Sequence, residues 1–150
     1  MEKGTKPIIA AAVMAITISL GTTVLAAERV DTASNKGFKQ TVEAVEKAVK
    51  ARGMMVVGKI DHQNMLTMVG GQIGGSVTIE FGKPDMGKMV LTMAPEAGLE
   101  MPGKIYIFEK AGKTVVSYSK TSFGAYNPEF NKVDEMMGMT VAEIVKEATK

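Results

Sequence analysis

The sequence contains no cysteine and no tryptophan, and it has a single histidine, His62, among 150 residues. Without thiolates the chain forms no disulfide, zinc–thiolate site, iron–sulfur cluster or thiol redox centre. We therefore expect the fold to be stabilised by apolar packing alone. Any imidazole-based role as acid, base or metal ligand rests on His62.

An excess of charge of one sign is missing as well. The chain carries 18 basic and 16 acidic side chains, a net charge of +2. Removal of the first 26 residues takes away Lys3, Lys6 and Glu2, which leaves 16 basic and 15 acidic side chains and a net charge of +1. Binding to nucleic acid needs clustered positive charge that displaces counterions. We therefore expect no nucleic acid among the partners of this protein.

The N-terminus has three parts in the order of a secretory signal. Its two lysines precede an apolar run without charge, residues 8–20, and the small residues of 24–27 follow. This order predicts a cleavable signal peptide over residues 1–26. The run is shorter than the roughly 20 apolar residues of a spanning helix, so a retained membrane anchor is the weaker alternative. We expect a periplasmic or secreted protein with no stable membrane insertion after cleavage.

The remaining sequence divides into a polar lead-in, residues 27–37, which we expect to be flexible, and one domain, residues 38–150. The domain begins with a helix, because apolar side chains recur at helical spacing up to a terminating Gly53. The residues of this apolar stripe are Phe38, Val42, Val45 and Val49.

Four strands are predicted after the first helix. Their apolar segments lie at residues 54–61, 76–81, 104–110 and 114–120. A short helix at 63–69, a glycine-rich connection at 70–75 and an irregular or partly helical segment at 85–99 separate them. After a polar loop at 126–132, a capping box that begins at Thr140 predicts the start of the final helix. This order favours an α+β fold in which helices cover one face of an antiparallel sheet.

Several short motifs occur in an order that is known from one protein family. They are Phe81-Gly82-Lys83-Pro84, the segment 95–99, Pro102, the hairpin KIYIFEKAGKTVVSY, and Ile60-Asp61-His62 after the first helix. Over residues 38–118 the sequence resembles the DUF302 family, a domain of unknown function. The resemblance implies a TBP-like, TT1751-like fold, a curved antiparallel sheet of four or five strands backed by two main helices on one face. It also implies a homodimer and no established reaction.

The resemblance draws attention to one acidic residue and the histidine beside it. Family members commonly carry an Asp-His pair at the end of the strand after the first helix, which matches Asp61 and His62. A neighbouring carboxylate can orient an imidazole or raise its proton affinity, so an enzyme that uses this pair is one hypothesis. A triad also needs a nucleophile, and the sequence offers none in a recognisable motif. We therefore expect a protein without catalytic activity.

Methionine is abundant, with 13 residues in the chain. Its flexible thioether fills irregular cores and lines adaptable apolar surfaces. We predict a pocket or groove in the middle segment, lined by methionines and with His62 near its mouth. The predicted ligand-binding residues are Asp61, His62, Met86, Met89, Met93 and Met101.

A haem or copper site is the alternative use of these residues. Thioethers are soft ligands that favour Cu(I), and His/Met pairs hold haem iron. The predicted ligands of such a site are His62, Met65 and Met68, on one short predicted helix. The prediction that we prefer is an exported module that binds a small apolar ligand or a protein partner and needs no cofactor.

Overall fold

The computed structural model describes residues 28–150, and the predicted signal peptide lies outside these residues. The strands in this range are β1 (Arg29–Ala33), β2 (Met55–Asp61), β3 (Ser76–Gly82), β4 (Gly103–Lys110) and β5 (Lys113–Ser119). The α-helices are α1 (Phe38–Ala51), α2 (His62–Thr67), α3 (Pro84–Met93) and α4 (Asn131–Ala148). Short 3₁₀ turns connect α3 to β4 and β5 to α4, at Pro95–Glu100, Phe123–Ala125 and Pro128–Phe130.

Alternating apolar side chains place one face of the sheet against the helices. Val77, Ile79 and Phe81 of β3 are buried on this face, together with Ile105 and Ile107 of β4. The apolar sides of α1 and α4 complete the same core. The sheet has the order β1-β5-β4-β3-β2, and each neighbouring pair is antiparallel. The predicted fold class, an α+β domain with two main helices on one face of an antiparallel sheet, is confirmed.

The segment that we expected to be a flexible lead-in contains the edge strand β1. It pairs with β5 in the register Arg29↔Ser119 to Ala33↔Val115. An edge strand over the rim of the core needs little apolar surface, and in β1 only Val30 packs against the main core. This polar segment is therefore a strand, because its backbone pairs on one side with β5.

The final helix begins at Asn131, nine residues before the capping box that we used to predict its start. Thr140 lies inside α4, where its hydroxyl donates a hydrogen bond of 2.8 Å to the carbonyl oxygen of Met136. The preceding segment, predicted as a polar loop, is anchored because Phe130 is buried in a second apolar cluster with Val90 and Phe123. The Asp134 carboxylate accepts hydrogen bonds from the backbone N–H groups of Phe123 and Gly124 at 3.0 and 2.7 Å.

None of the helices in residues 28–150 combines the length and the apolar character that a crossing of the bilayer requires.

Candidate functional site

An apolar cavity of about 300 Å³ lies at one end of the sheet, between the start of α3, the beginning of β4 and the face of α4. We call it the methionine cavity. Its lining residues are Val57, Phe81, Gly82, Lys83, Pro84, Met86, Gly87, Met101, Pro102, Gly103, Thr121, Phe123 and Met137. Most of these side chains carry no polar group, and Lys83 is the one charged residue among them.

The chain builds this cavity with tight turns at both ends of a helical connection. Gly82 ends β3, and Pro84 occupies the first position of α3, where its missing N–H and fixed φ are tolerated. The return into β4 passes Gly103, whose added Cβ would lie 2.7 Å from Cζ of Phe81. A glycine is therefore required here if the Phe81 ring is to remain in place between the core and the cavity.

The structure brings together part of the predicted methionine set. Met86 and Met101 line the cavity, and α4 adds Met137, which the sequence analysis did not select. Met89 and Met93 are not among the lining residues, and 42% and 47% of their surfaces are exposed on α3. Met89 and Met93 follow Met86 by three and seven positions on the same side of α3, but only the first turn of the helix, at Pro84, Met86 and Gly87, lines the cavity.

Two polar groups border the cavity. Oγ1 of Thr121 is buried and has no hydrogen-bond partner among residues 28–150. A buried hydroxyl without a partner costs about 1–3 kcal/mol. Lys83 is exposed at the mouth, and its ammonium forms no ion pair within the described part of the chain.

Asp61 and His62, the predicted pair, are not among the residues that line the methionine cavity. Their side chains form hydrogen bonds with different partners. Asp61 caps α2, since its Oδ1 accepts a hydrogen bond from the Asn64 backbone N–H at 2.8 Å. Nε2 of His62 is 2.7 Å from the hydroxyl oxygen of Thr78, on the sheet face opposite α1 and α4. His62 is not one of the residues that line the methionine cavity.

His62 belongs to a row of polar and aromatic side chains on this open face. Its ring contacts Tyr106 edge-on at a centroid distance of 5.7 Å, and Tyr106 stacks on Phe108 at 4.9 Å. The hydroxyl groups of Tyr106 and Ser76 are 2.7 Å apart. These groups bond to one another, so the row stabilises the open face of the sheet and presents no free nucleophile–base pair with an orienting carboxylate.

The same row reaches the edge strand through Ser117 and Asp31. Ser117 lies opposite both Tyr106 and Asp31 in the register of the sheet. Hydrogen bonds from the Arg29 guanidinium and then from the Ser117 hydroxyl hold the pKa of Asp31 below its usual value. The charged Asp31 thus ties β1 to β5.

This shift predicts a pH dependence for the attachment of β1. A carboxyl group whose pKa is lowered in the folded state contributes stability above its unfolded pKa of about 3.9, and this contribution is lost as the pH falls through the folded pKa. Asp31→Asn should therefore destabilise the protein at pH 6 and have a smaller effect at pH 2.5. Urea unfolding of both proteins at the two pH values measures this, and a constant difference would contradict the role of Asp31.

The residues of the predicted metal site, His62, Met65 and Met68, lie in α2 and at its C-terminal end. Met65 and Met68 are 57% and 80% exposed. Met68 follows the end of α2 and lies about 240° around a helix of 3.6 residues per turn from His62. Within residues 28–150, no three side chains of the His, Asp and Glu types lie close enough together to hold a metal ion.

Comparison with known proteins relates the chain to one protein family. A family model described as a domain of unknown function, DUF302, matches residues 30–148. The fold is similar to the crystal structure of an uncharacterized conserved DUF302 protein from Bacillus stearothermophilus, with a TM-score of 0.74 and 17% sequence identity. The similarity covers 81% of this chain and 98% of that chain. A search of curated proteins finds no match.

Proposed function

From its geometry we propose that this chain, which belongs to the DUF302 family, is an exported module that holds a small apolar molecule in the methionine cavity. The cavity itself is the observation that carries the proposal. Its volume of about 300 Å³ is at the lower end of the range of small-molecule sites, about 300–1,000 Å³. The module binds its ligand and does not transform it.

The composition of the wall supports an apolar occupant. Phe81 and Phe123 provide rigid aromatic surface, and Met86, Met101 and Met137 provide unbranched thioethers. Methionine adapts to ligands of different shape because three bonds of its side chain rotate and its sulfur is polarisable. A wall of this kind favours burial of hydrocarbon, which contributes about 25 cal/mol for each Å² removed from water.

A copper(I) site in the same cavity is the second candidate, because three thioether side chains line one space. Soft thioether sulfur is a preferred ligand of Cu(I). The charge of Lys83 at the mouth opposes a cation, and the volume is much larger than one ion requires. These two features favour the apolar molecule over the metal.

Calorimetric titration tests the proposal with protein purified after expression of the full chain. We expect butylbenzene to bind at a single site and to raise the unfolding free energy by about 2.7 kcal/mol when present at 100 times its Kd.

An intact mass that lacks residues 1–26 or 1–27 checks export. His62→Ala should bind butylbenzene as the wild type does, because His62 does not line the cavity.

Two results would overturn the proposal. The first is the absence of saturable butylbenzene binding, and the second is binding that His62→Ala removes while the protein stays folded. Stoichiometric uptake of Cu(I) by a protein that ignores butylbenzene would favour the metal alternative.

A further inference from the structure

The segment between β2 and β3 exposes large apolar side chains and carries no acidic or basic residue other than His62. None of the residues of α2 is buried, and no Asp, Glu, Lys or Arg occurs in residues 62–79. We call the exposed apolar side chains of this segment the apolar tip, which consists of Met65, Leu66, Met68, Val69 and Ile73. None of these residues lines the methionine cavity, so the apolar tip is a separate feature of the surface.

Hydrogen bonds occupy the backbone donors at the most exposed part of the apolar tip, where Met68 and Val69 are each 80% exposed. The backbone N–H groups of residues 68–71 all donate to carbonyl oxygens of residues 64–67, at 2.8–3.3 Å. An N–H group without a partner is strongly unfavourable in hydrocarbon. Because these donors already have partners within the chain, this turn can enter an apolar medium at little cost.

Two lysines lie at the same end of the sheet as the apolar tip. The backbone N–H of Glu109 donates to the carbonyl oxygen of Gly75 at 2.9 Å, which joins the end of β4 to the segment that carries the apolar tip. Lys110 follows Glu109 and lies opposite Lys113 in the register of the β4–β5 hairpin. Both lysines are exposed, and neither forms an ion pair within residues 28–150.

The two lysines also share a face of the sheet with the start of α2. Lys110 alternates in phase with Tyr106 and Phe108 along β4, so it belongs to the open face. His62, the first residue of α2, contacts Tyr106 on that face. Like charges directly opposite each other destabilise a sheet, so the pair of Lys110 and Lys113 favours contact with an anionic partner.

The carboxylates in this part of the molecule have donors within the chain. Asp61 caps α2, and Oε2 of Glu109 accepts a hydrogen bond of 2.6 Å from the backbone of the connection before β3. Asp31 on the edge strand is bound by Arg29 and Ser117. The two lysines are therefore the charged groups that a partner can engage without displacing a contact of the described chain.

We infer that the apolar tip docks this protein on the surface of a bilayer that contains anionic lipid. Met68 and Val69 enter the boundary between headgroups and acyl chains, while Lys110 and Lys113 contact lipid phosphates. Apolar burial combined with attraction to anionic lipid is the basis of such interfacial binding. A second copy of this chain is a poorer occupant, because an isologous interface would bring the lysine pairs of both copies together.

Binding to vesicles of two compositions tests the charge. We expect the purified protein to bind vesicles of phosphatidylglycerol and phosphatidylcholine in equal parts about 25-fold more tightly than vesicles of phosphatidylcholine, since each of two basic residues near an anionic surface contributes about fivefold. Lys110→Gln/Lys113→Gln should remove this preference, whereas Lys88→Gln, at an exposed position of α3, should keep it. Addition of NaCl to about 0.5 M should reduce the preference, because salt screens exposed charges.

A matched pair of aspartate variants tests the apolar contact. Met68→Asp should weaken binding to the anionic vesicles by at least about tenfold, because a carboxylate is unfavourable in the apolar part of a bilayer. Leu99→Asp adds the same charge at a residue that is 85% exposed and lies before β4, at the other end of the sheet. It should bind as the wild type does, and urea unfolding should show that both variants are folded.

The lack of tryptophan in the chain allows contact with lipid to be observed directly. The emission of Val69→Trp should shift to shorter wavelength when anionic vesicles are added, and that of Leu99→Trp should not. Absence of vesicle binding, or binding that Met68→Asp retains in full, would overturn the inference. A dimer that Met68→Asp converts to monomers would also overturn it, since the apolar tip would then be a protein interface.

Discussion

Replacement of Gly87 by leucine is expected to weaken butylbenzene binding by at least about tenfold, or 1.4 kcal/mol, while the protein remains folded. Gly87 lines the methionine cavity, and an added Cβ there meets only Sδ of Met101, at 4.0 Å. The leucine side chain would therefore occupy space that the ligand needs. Since glycine inside a helix is unfavourable by roughly 0.5–1 kcal/mol relative to alanine, α3 should tolerate the change.

The matched control is the same substitution at Gly138. Gly138 lies inside α4, has no atom within 4 Å of an added Cβ, and does not line the cavity. Calorimetric titration should give Gly138→Leu the wild-type affinity, and urea unfolding should show both variants folded. Equal binding by the wild type and Gly87→Leu would mean that the ligand lies elsewhere.

Truncation of Ile79 to alanine should produce the largest loss of stability among the changes considered, about 2–5 kcal/mol. Ile79 is 0% exposed in the centre of β3, opposite Ile105 of β4 and beneath the helices α1 and α4. The neighbouring strands fix the backbone on both sides, so the core can collapse only partly around the missing atoms. A loss of this size is a large share of the 5–15 kcal/mol that typically stabilises a domain.

Ile73→Ala serves as the matched control for this change. Ile73 lies in the connection before β3 and is 42% exposed, so removal of the same atoms creates no enclosed cavity. We expect a loss below about 1 kcal/mol. Urea unfolding of the two variants compares them directly, and similar losses would contradict the position of Ile79 in the core.

The elements predicted from the sequence are those whose periodicity is strong and local. In α1, in β3 and in the β4–β5 hairpin, the buried side can be recognised from the apolar pattern of a few consecutive residues or turns. Their observed bounds agree with the predicted segments within a few residues. In these segments local preference and tertiary packing favour the same structure.

The elements that were missed or misplaced depend on contacts with distant residues. β1 is polar and is stabilised by its pairing with β5, about 85 residues further along the chain. The first half of α4 contains Gly138 and begins without a side-chain cap, and its start is fixed by packing around Phe130 and Asp134. Thr140 begins a sequence that matches a capping box, but it does not cap the start of a helix because α4 continues through it.

Sequence analysis predicted only those lining residues of the methionine cavity that come from one segment of the chain. Met86 and Met101 came from one segment, but Thr121, Phe123 and Met137 reach the cavity from later elements. No local pattern marks Thr121, which reaches the cavity from the segment after β5. His62 was an attractive candidate because it is the single histidine, yet its bond to Thr78 directs it to the opposite face of the sheet.

Methionine methyl groups offer the most direct test of the central claim that the methionine cavity is a ligand site. NMR spectra of protein labelled with ¹³C at the methionine methyl groups, recorded during a butylbenzene titration, report each thioether separately. The account predicts saturable shifts for Met86, Met101 and Met137, and unchanged signals for Met89 and Met93, which are exposed on α3 and do not line the cavity. Shifts at Met89 and Met93 alone, or no saturable shift at any methionine, would contradict it.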